Sequence, residues 1–235
     1  MKLSKKIIIS AVIIIIALLF SYGILSGNRN SGVLSPVFRL LSLTSSDDEA
    51  FDLSKVKDRV RLGDLVLREG TATDSSVIMM LSSSDYSHIG IVTELSPEII
   101  VTHATTDDDP EHADQVIKTP LYEFWNSKNA DAGALVRLSF INDKNVRTVI
   151  DSVNSKLGQS FVLTYKGNSQ ERPMYCSILI YSALREVNRN FSLKWQFVDI
   201  PLVRGNYLFP QAFLDSSDSS LIFRFSKKES SGNQN

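Results

Sequence analysis

Hydrophobic positions follow three different patterns along the chain. The first is continuous: from Ile7 to Phe20 nearly every residue is apolar, the run weakens to Leu25, and no charge falls between positions 7 and 28. The second is a set of short β-branched blocks. Leu62–Leu67, with its Gly-Asp step, reads as a strand, and Ile89–Thr93 and Ile99–Thr102, parted by Ser96-Pro97, read as a hairpin. Ala134–Phe140 reads as a further strand. The third has a helical period. Val146, Val149, Ile150, Val153 and Leu157 share one face of a helix over 143–157, with Gly158 as its stop. Leu179, Ile180, Ala183, Leu184 and Val187 form the stripe of a second helix over 175–188. Shorter helices are expected over Val77–Leu81, capped by Asp74, and over 119–127, with Pro120 in its first turn. Strands and helices mix without regular βαβ alternation, which predicts an α+β fold with a largely antiparallel sheet.

These patterns divide the chain into an apolar segment 1–27, a linker 28–50, a folded domain 51–225 and a polar tail 226–235. Lys2, Lys5 and Lys6 precede the apolar run, as in a secretory signal or signal anchor. A span needs about 18 or more apolar residues, so the 19 residues of 7–25 favour an anchor over a cleaved signal. The flanking lysines predict a cytoplasmic N-terminus, which puts the domain outside the cytoplasm, periplasmic or at the cell surface.

Charge and composition narrow the function classes. The chain of 235 residues carries 25 basic and 26 acidic side chains. Setting aside the three leading lysines leaves 22 basic against 26 acidic, a mildly acidic domain. That balance excludes nucleic-acid binding by bulk charge, because phosphate neutralisation needs a basic face. One cysteine and three histidines exclude an internal disulfide framework and a four-cysteine zinc site.

The chemistry therefore rests on few residues. Cys176 opens the second helix, where free backbone N–H groups favour a thiolate, although a lone cysteine also serves as a small buried hydrophobe. His88 opens the first hairpin strand and His103 ends the second. Pairing of those strands puts both rings at one sheet edge, as a base toward Cys176 and an orienter behind it. The same three residues could instead hold zinc, and each histidine could be merely structural. His112, in the acidic Asp107–His112 run, is assigned no role, and that run lacks the spaced ligands of a calcium loop.

Gly63-Asp64-Leu65-Val66, then Tyr86-Ser87-His88-Ile89-Gly90-Ile91-Val92, then Tyr175-Cys176-Ser177 opening a helix, resemble the permuted papain-like cysteine hydrolases. These form the YiiX/YaeF-like branch of the NlpC/P60 superfamily. The Gly158 turn and the Asn206–Pro210 segment also fit, so the resemblance covers about residues 58–215. It implies a circularly permuted papain-like fold with an antiparallel sheet against helices, Cys176 as nucleophile, His88 as base and His103 as third member. A set of two histidines and a later cysteine is also similar to the lecithin retinol acyltransferase branch, which handles lipid acyl groups. Ile178 stands where such members often carry Glu, and Gly158-Gln159-Ser160-Phe161 replaces their Gly-x-x-Tyr turn.

The expected function is amide hydrolysis through a thioester acyl-enzyme, with cell-wall peptide (peptidoglycan) or a lipid amide as substrate. Backbone N–H at Cys176 and the Tyr175 hydroxyl would hold the oxyanion. No cofactor or metal is expected, and the membrane would be met through residues 7–25. A lipid-acyl thioesterase or acyltransferase is the alternative within enzymes, and a catalytically idle binding module the alternative outside them.

Overall fold

The β-branched blocks pair largely in chain order. In the structure, a computed structural model that describes residues 50–71, 84–106, 108–163, 173–200 and 203–227, six strands build one antiparallel sheet. They are β1 (Leu65–Gly70), β2 (His88–Glu94), β3 (Ile100–Thr105), β4 (Gln115–Pro120), β5 (Ala130–Leu138) and β8 (Ser219–Ser226), in the order β4-β3-β2-β1-β5-β8. A separate hairpin is made by β6 (Gln196–Ile200) and β7 (Val203–Tyr207). The helices are α1 (Leu121–Phe124), α2 (Val146–Asn154), α3 (Cys176–Val187) and α4 (Gln211–Leu214). The described residues all belong to one unit, Asp47–Asn235. No described helix is long and apolar enough to cross a membrane. The expected anchor 7–25 and the expected helix Val77–Leu81 lie outside the described residues.

Alternation along the strands makes two apolar layers. Leu65, Leu67, Ile89, Ile91, Ala104, Val116, Ala134 and Val136 pack with Val149 and Val153 of α2 and Leu179, Ile180, Ala183 and Leu184 of α3. Val66, Val92, Val101 and Leu135 face the other way and pack with Val56, Phe124 and Trp125. Each fully buried Leu or Ile contributes roughly 1.5–3 kcal/mol. That packing, rather than propensity, holds the helices: nine residues of α2 alone fall short of a stable helix in water. α2 is shorter than the expected 143–157: it ends at Asn154, Leu157 is exposed, and Gly158, at φ +75°, stands four residues beyond its end.

Several elements depart from the sequence expectation for identifiable reasons. β1 begins at Leu65, not at 62, because Gly63 takes φ +80° and the Arg61 N–H donates to Asp64 at 2.8 Å, making a turn. The helix expected over 119–127 is one turn, Leu121–Phe124, because Gln115–Pro120 is a strand paired with β3. β8 carries the sheet on to Ser226, just past the expected end of the domain, and pairs with β5. It is an edge strand with polar Ser219, Ser220 and Arg224, so its apolar alternation is weak.

Close strand approach has a cost that can be measured. A Cβ on Gly90 would run into Val101 Cγ1 and lie 3.2 Å from His103 Cβ. Gly90→Ala is therefore expected to destabilise the fold by about 1–3 kcal/mol through overpacking, read as a lowered urea midpoint. An unchanged midpoint would show that β2 and β3 part there without cost.

Candidate active site

Strand register sets four polar side chains on one sheet face. Arg68 of β1 is directly opposite His88 of β2, and His103 follows on β3 opposite Ile117 of β4. On that face the layer is Phe124 and Trp125, not α3. His88 Nε2 lies 2.8 Å from His103 Nδ1. His103 Nε2 lies 2.9 Å from Thr119 Oγ1. The Phe124 ring closes the group, its centroid 5.6 Å from His88, 5.1 Å from His103 and 4.6 Å from the Arg68 guanidinium carbon.

A buried ion pair borders the two rings. Arg68 donates from one nitrogen to both Asp108 oxygens, at 2.6 and 2.7 Å, and from another to the Phe124 carbonyl at 3.2 Å. Its Nε is the one buried polar side-chain atom without a partner among the described residues. Asp108 Oδ2 stands 3.9 Å from His103 Nδ1, too far for a hydrogen bond but close for a charge.

The charges act on the rings in opposite directions. Burial, then Arg68 and His103, hold His88 well below the ordinary 6.5, with Asp108 pulling the other way. Burial likewise lowers His103 to about 4, opposed by Asp108 and aided by Arg68. Burial alone would raise Asp108, but Arg68 and the two imidazoles outweigh it and hold the carboxyl well below its usual range. Both rings are neutral at pH 7.

Cys176 is the first residue of α3, behind Tyr175, whose side chain makes no cap bond, so the first-turn N–H groups remain available. Its sulfur lies 3.9 Å from Ser177 Oγ, and its helix packs against β2. Burial pushes the thiol above its ordinary 9.0, partly offset by Ile89, Ser177 and Arg68. Among the described residues no hydrogen bond joins Cys176 to His88, and His88 Nδ1 has no hydrogen-bond partner. The Tyr175 hydroxyl accepts the Leu208 N–H at 3.0 Å, which leaves its own proton to donate. His112 is exposed and pairs with Asp109 at 2.7 Å.

The structure thus brings His88 and His103 together and puts Cys176 against the same strand. Sequence reasoning missed Arg68, Asp108, Thr119 and Phe124. A charge ending the apolar Leu65-Val66-Leu67 block was a signal for Arg68. Nothing in three consecutive aspartates singles out Asp108.

His88, His103 and Asp108 also hold their ligand-type atoms within 4.8 Å of one another, the spacing of a metal site. The donors do not fit an ion as they stand. The two ring nitrogens bind each other at 2.8 Å, whereas two nitrogens on one tetrahedral zinc at about 2.0–2.1 Å sit roughly 3.3 Å apart. Asp108 is already neutralised by a guanidinium.

This α+β architecture has a solved counterpart. The chain is similar to a crystal structure described as the metalloprotein YiiX from Escherichia coli O157:H7, with a TM-score of 0.57 and 16% identity over 71% of this chain and 98% of that one. It shares that protein's fold. No family model matches the chain, and no curated protein matches it.

Proposed function

We propose that this chain is an exported or membrane-anchored cysteine hydrolase of the permuted papain-like type, cleaving an amide through a thioester acyl-enzyme. The observations that carry the reading are Cys176 as the first residue of α3, a helix that packs against β2, and, among the described residues, a His88 whose Nε2 is held by His103 and whose Nδ1 has no partner. The resting pair is a neutral thiol and a neutral imidazole, not an ion pair. As a carbonyl enters, His88 Nδ1 takes the thiol proton while sulfur bonds to the carbonyl carbon. The His88 ring packs toward Phe124 and Cys176 packs with the α3 layer, so their hydrogen bond requires a rearrangement at the start of β2 on substrate entry. The backbone N–H of Cys176, with the Tyr175 hydroxyl beside it, takes the oxyanion. His88 then returns the proton to the leaving amine. Water attacks the thioester with His88 again as base, and the thiol is regenerated.

Cell-wall peptide suits a domain held outside the cytoplasm by residues 7–25. A lipid-acyl substrate is the second reading, favoured by a cavity of about 720 Å³ beside α3 that includes Met174, Ile178, Trp195 and Tyr207 in its lining. The metal that the description of YiiX as a metalloprotein implies for that protein finds no fitting donor set around Arg68 here, so no step runs through one.

The test is to incubate the full chain in detergent with peptidoglycan stem peptide and, separately, with a fatty-acyl thioester. The expected result is an acyl group on Cys176 by intact mass and peptide mapping, from one substrate class and absent in Cys176→Ala. Turnover that survives Cys176→Ala would sink the reading.

A further inference from the structure

Arg68 has no role in the cysteine chemistry above, yet it is the charged side chain most deeply set beside the two rings. It is buried to 6% exposure, directly opposite His88 in the register, and locked by Asp108, Phe124 and the ring stack. Asp108 spends both oxygens on a single Arg68 nitrogen and stands at 3.9 Å from the nitrogen His103 shares with His88. It therefore does not orient His103 by a hydrogen bond, as a third member of a triad would. What the pair can do is act by charge across a dry contact, where screening is weak.

We propose that the Arg68–Asp108 ion pair is a charge-balance device for the His88–His103 pair: Arg68 opposes, and Asp108 permits, the uptake of one proton by the two rings. The rings, Arg68 and Asp108 together carry no net charge at rest. A proton taken at His88 Nδ1 makes them singly positive, with the Nε2–H donated to His103 Nδ1 and the His103 Nε2–H to Thr119 Oγ1. Arg68 alone would set two cations side by side. Asp108, beside the shared N···N contact, offsets that repulsion. Arg68 in turn keeps Asp108 from drawing a permanent proton onto the rings, which would leave no base. Among the described residues the groups that face the rings are few: Arg68 from β1, Asp108 from the loop after β3, the Thr119 hydroxyl from β4 and the neutral Phe124 from α1. Arg68 and Asp108 are positioning residues, and the inference stands on the ring geometry whether or not Cys176 is a nucleophile.

The test reads the rings without reference to turnover. Of the two protonation states of a histidine, diethyl pyrocarbonate acylates only the neutral one, and its rate at each histidine of the full chain in detergent is followed by peptide mass between pH 5 and 8. Exposed His112 serves as the internal reference. In the wild type the His112 rate is expected to fall steeply toward pH 5 while the His88 rate stays flat. In Arg68→Gln the His88 rate should become at least tenfold slower at pH 5 than at pH 8, because Asp108 then acts unopposed. In Arg68→Gln with Asp108→Asn, which leaves no buried charge alone, the flat profile should return. A flat profile in folded Arg68→Gln, or a pH-dependent profile in the double variant, overturns the proposal. So does a wild-type His88 rate that falls in step with His112, a result that holds even if Arg68→Gln does not fold. Failure of the hydrolase reading would show instead as loss of Cys176 acylation with these profiles intact.

Discussion

His88→Ala in the full chain is expected to slow acylation of Cys176 by roughly 10²–10⁴-fold at pH 7, the usual contribution of a positioned general base. The effect is large because the thiol cannot ionise alone: burial holds it above its ordinary 9.0. The pH profile is part of the same expectation. His88 is a base only when neutral, and it is neutral above a value well below 6.5, so the acylation rate should show no acid limb between pH 6 and 8. A cysteine working as a thiolate–imidazolium pair would instead lose activity as its imidazolium deprotonates. In His88→Ala the residual rate should rise with pH up to 9 and beyond, following the thiol. Single-turnover acylation measured by mass checks both points. A loss smaller than about tenfold would remove His88 as the base.

The second large effect is acid destabilisation of the fold. His103 is neutral and fully buried, with a value of about 4 against an ordinary 6.5. The unfolded chain therefore binds a proton in that window that the folded chain refuses, and stability falls as pH drops from 6.5 toward 4. At 1.36 kcal/mol per unit the loss from this residue is on the order of 3 kcal/mol. His88 adds to it in the same direction. Asp108 acts lower: its depressed carboxyl stabilises the fold above 3.8 and loses that contribution only as pH falls further. Urea midpoints at pH 7 and pH 4.5 should differ strongly in the wild type and much less in His103→Gln. Equal slopes in the two would mean that His103 is not the group refusing the proton.

Local pattern carried much of this architecture. The 3.6 period over Val146–Val153 and Leu179–Leu184 marks one buried face on each helix, and both helices form there. The β-branched blocks either side of Ser96-Pro97 pair as a hairpin, so His88 and His103 meet at one edge. β4 was hidden by Pro120, which reads as a helix start when the partner strand is unknown. β8 was hidden because an edge strand need bury little on either face.

The candidate site divides along the same line. Which residue types are available is a matter of count: one thiol and three imidazoles in 235 residues leave little choice, and a cysteine at a helix start is visible from the apolar stripe behind it. Which groups surround them is not local. Arg68 precedes His88 by twenty residues and Asp108 follows it by as many, and only β1–β2 register and the loop after β3 bring them to one contact. Residue identity and short-range period determined the helices, the hairpin and the short list of reactive groups, because a side chain's period and its chemistry are properties of nearby sequence. The burial that keeps both imidazoles neutral, and the ion pair beside them, were decided by tertiary structure, because desolvation and charge act through space between residues far apart in the chain.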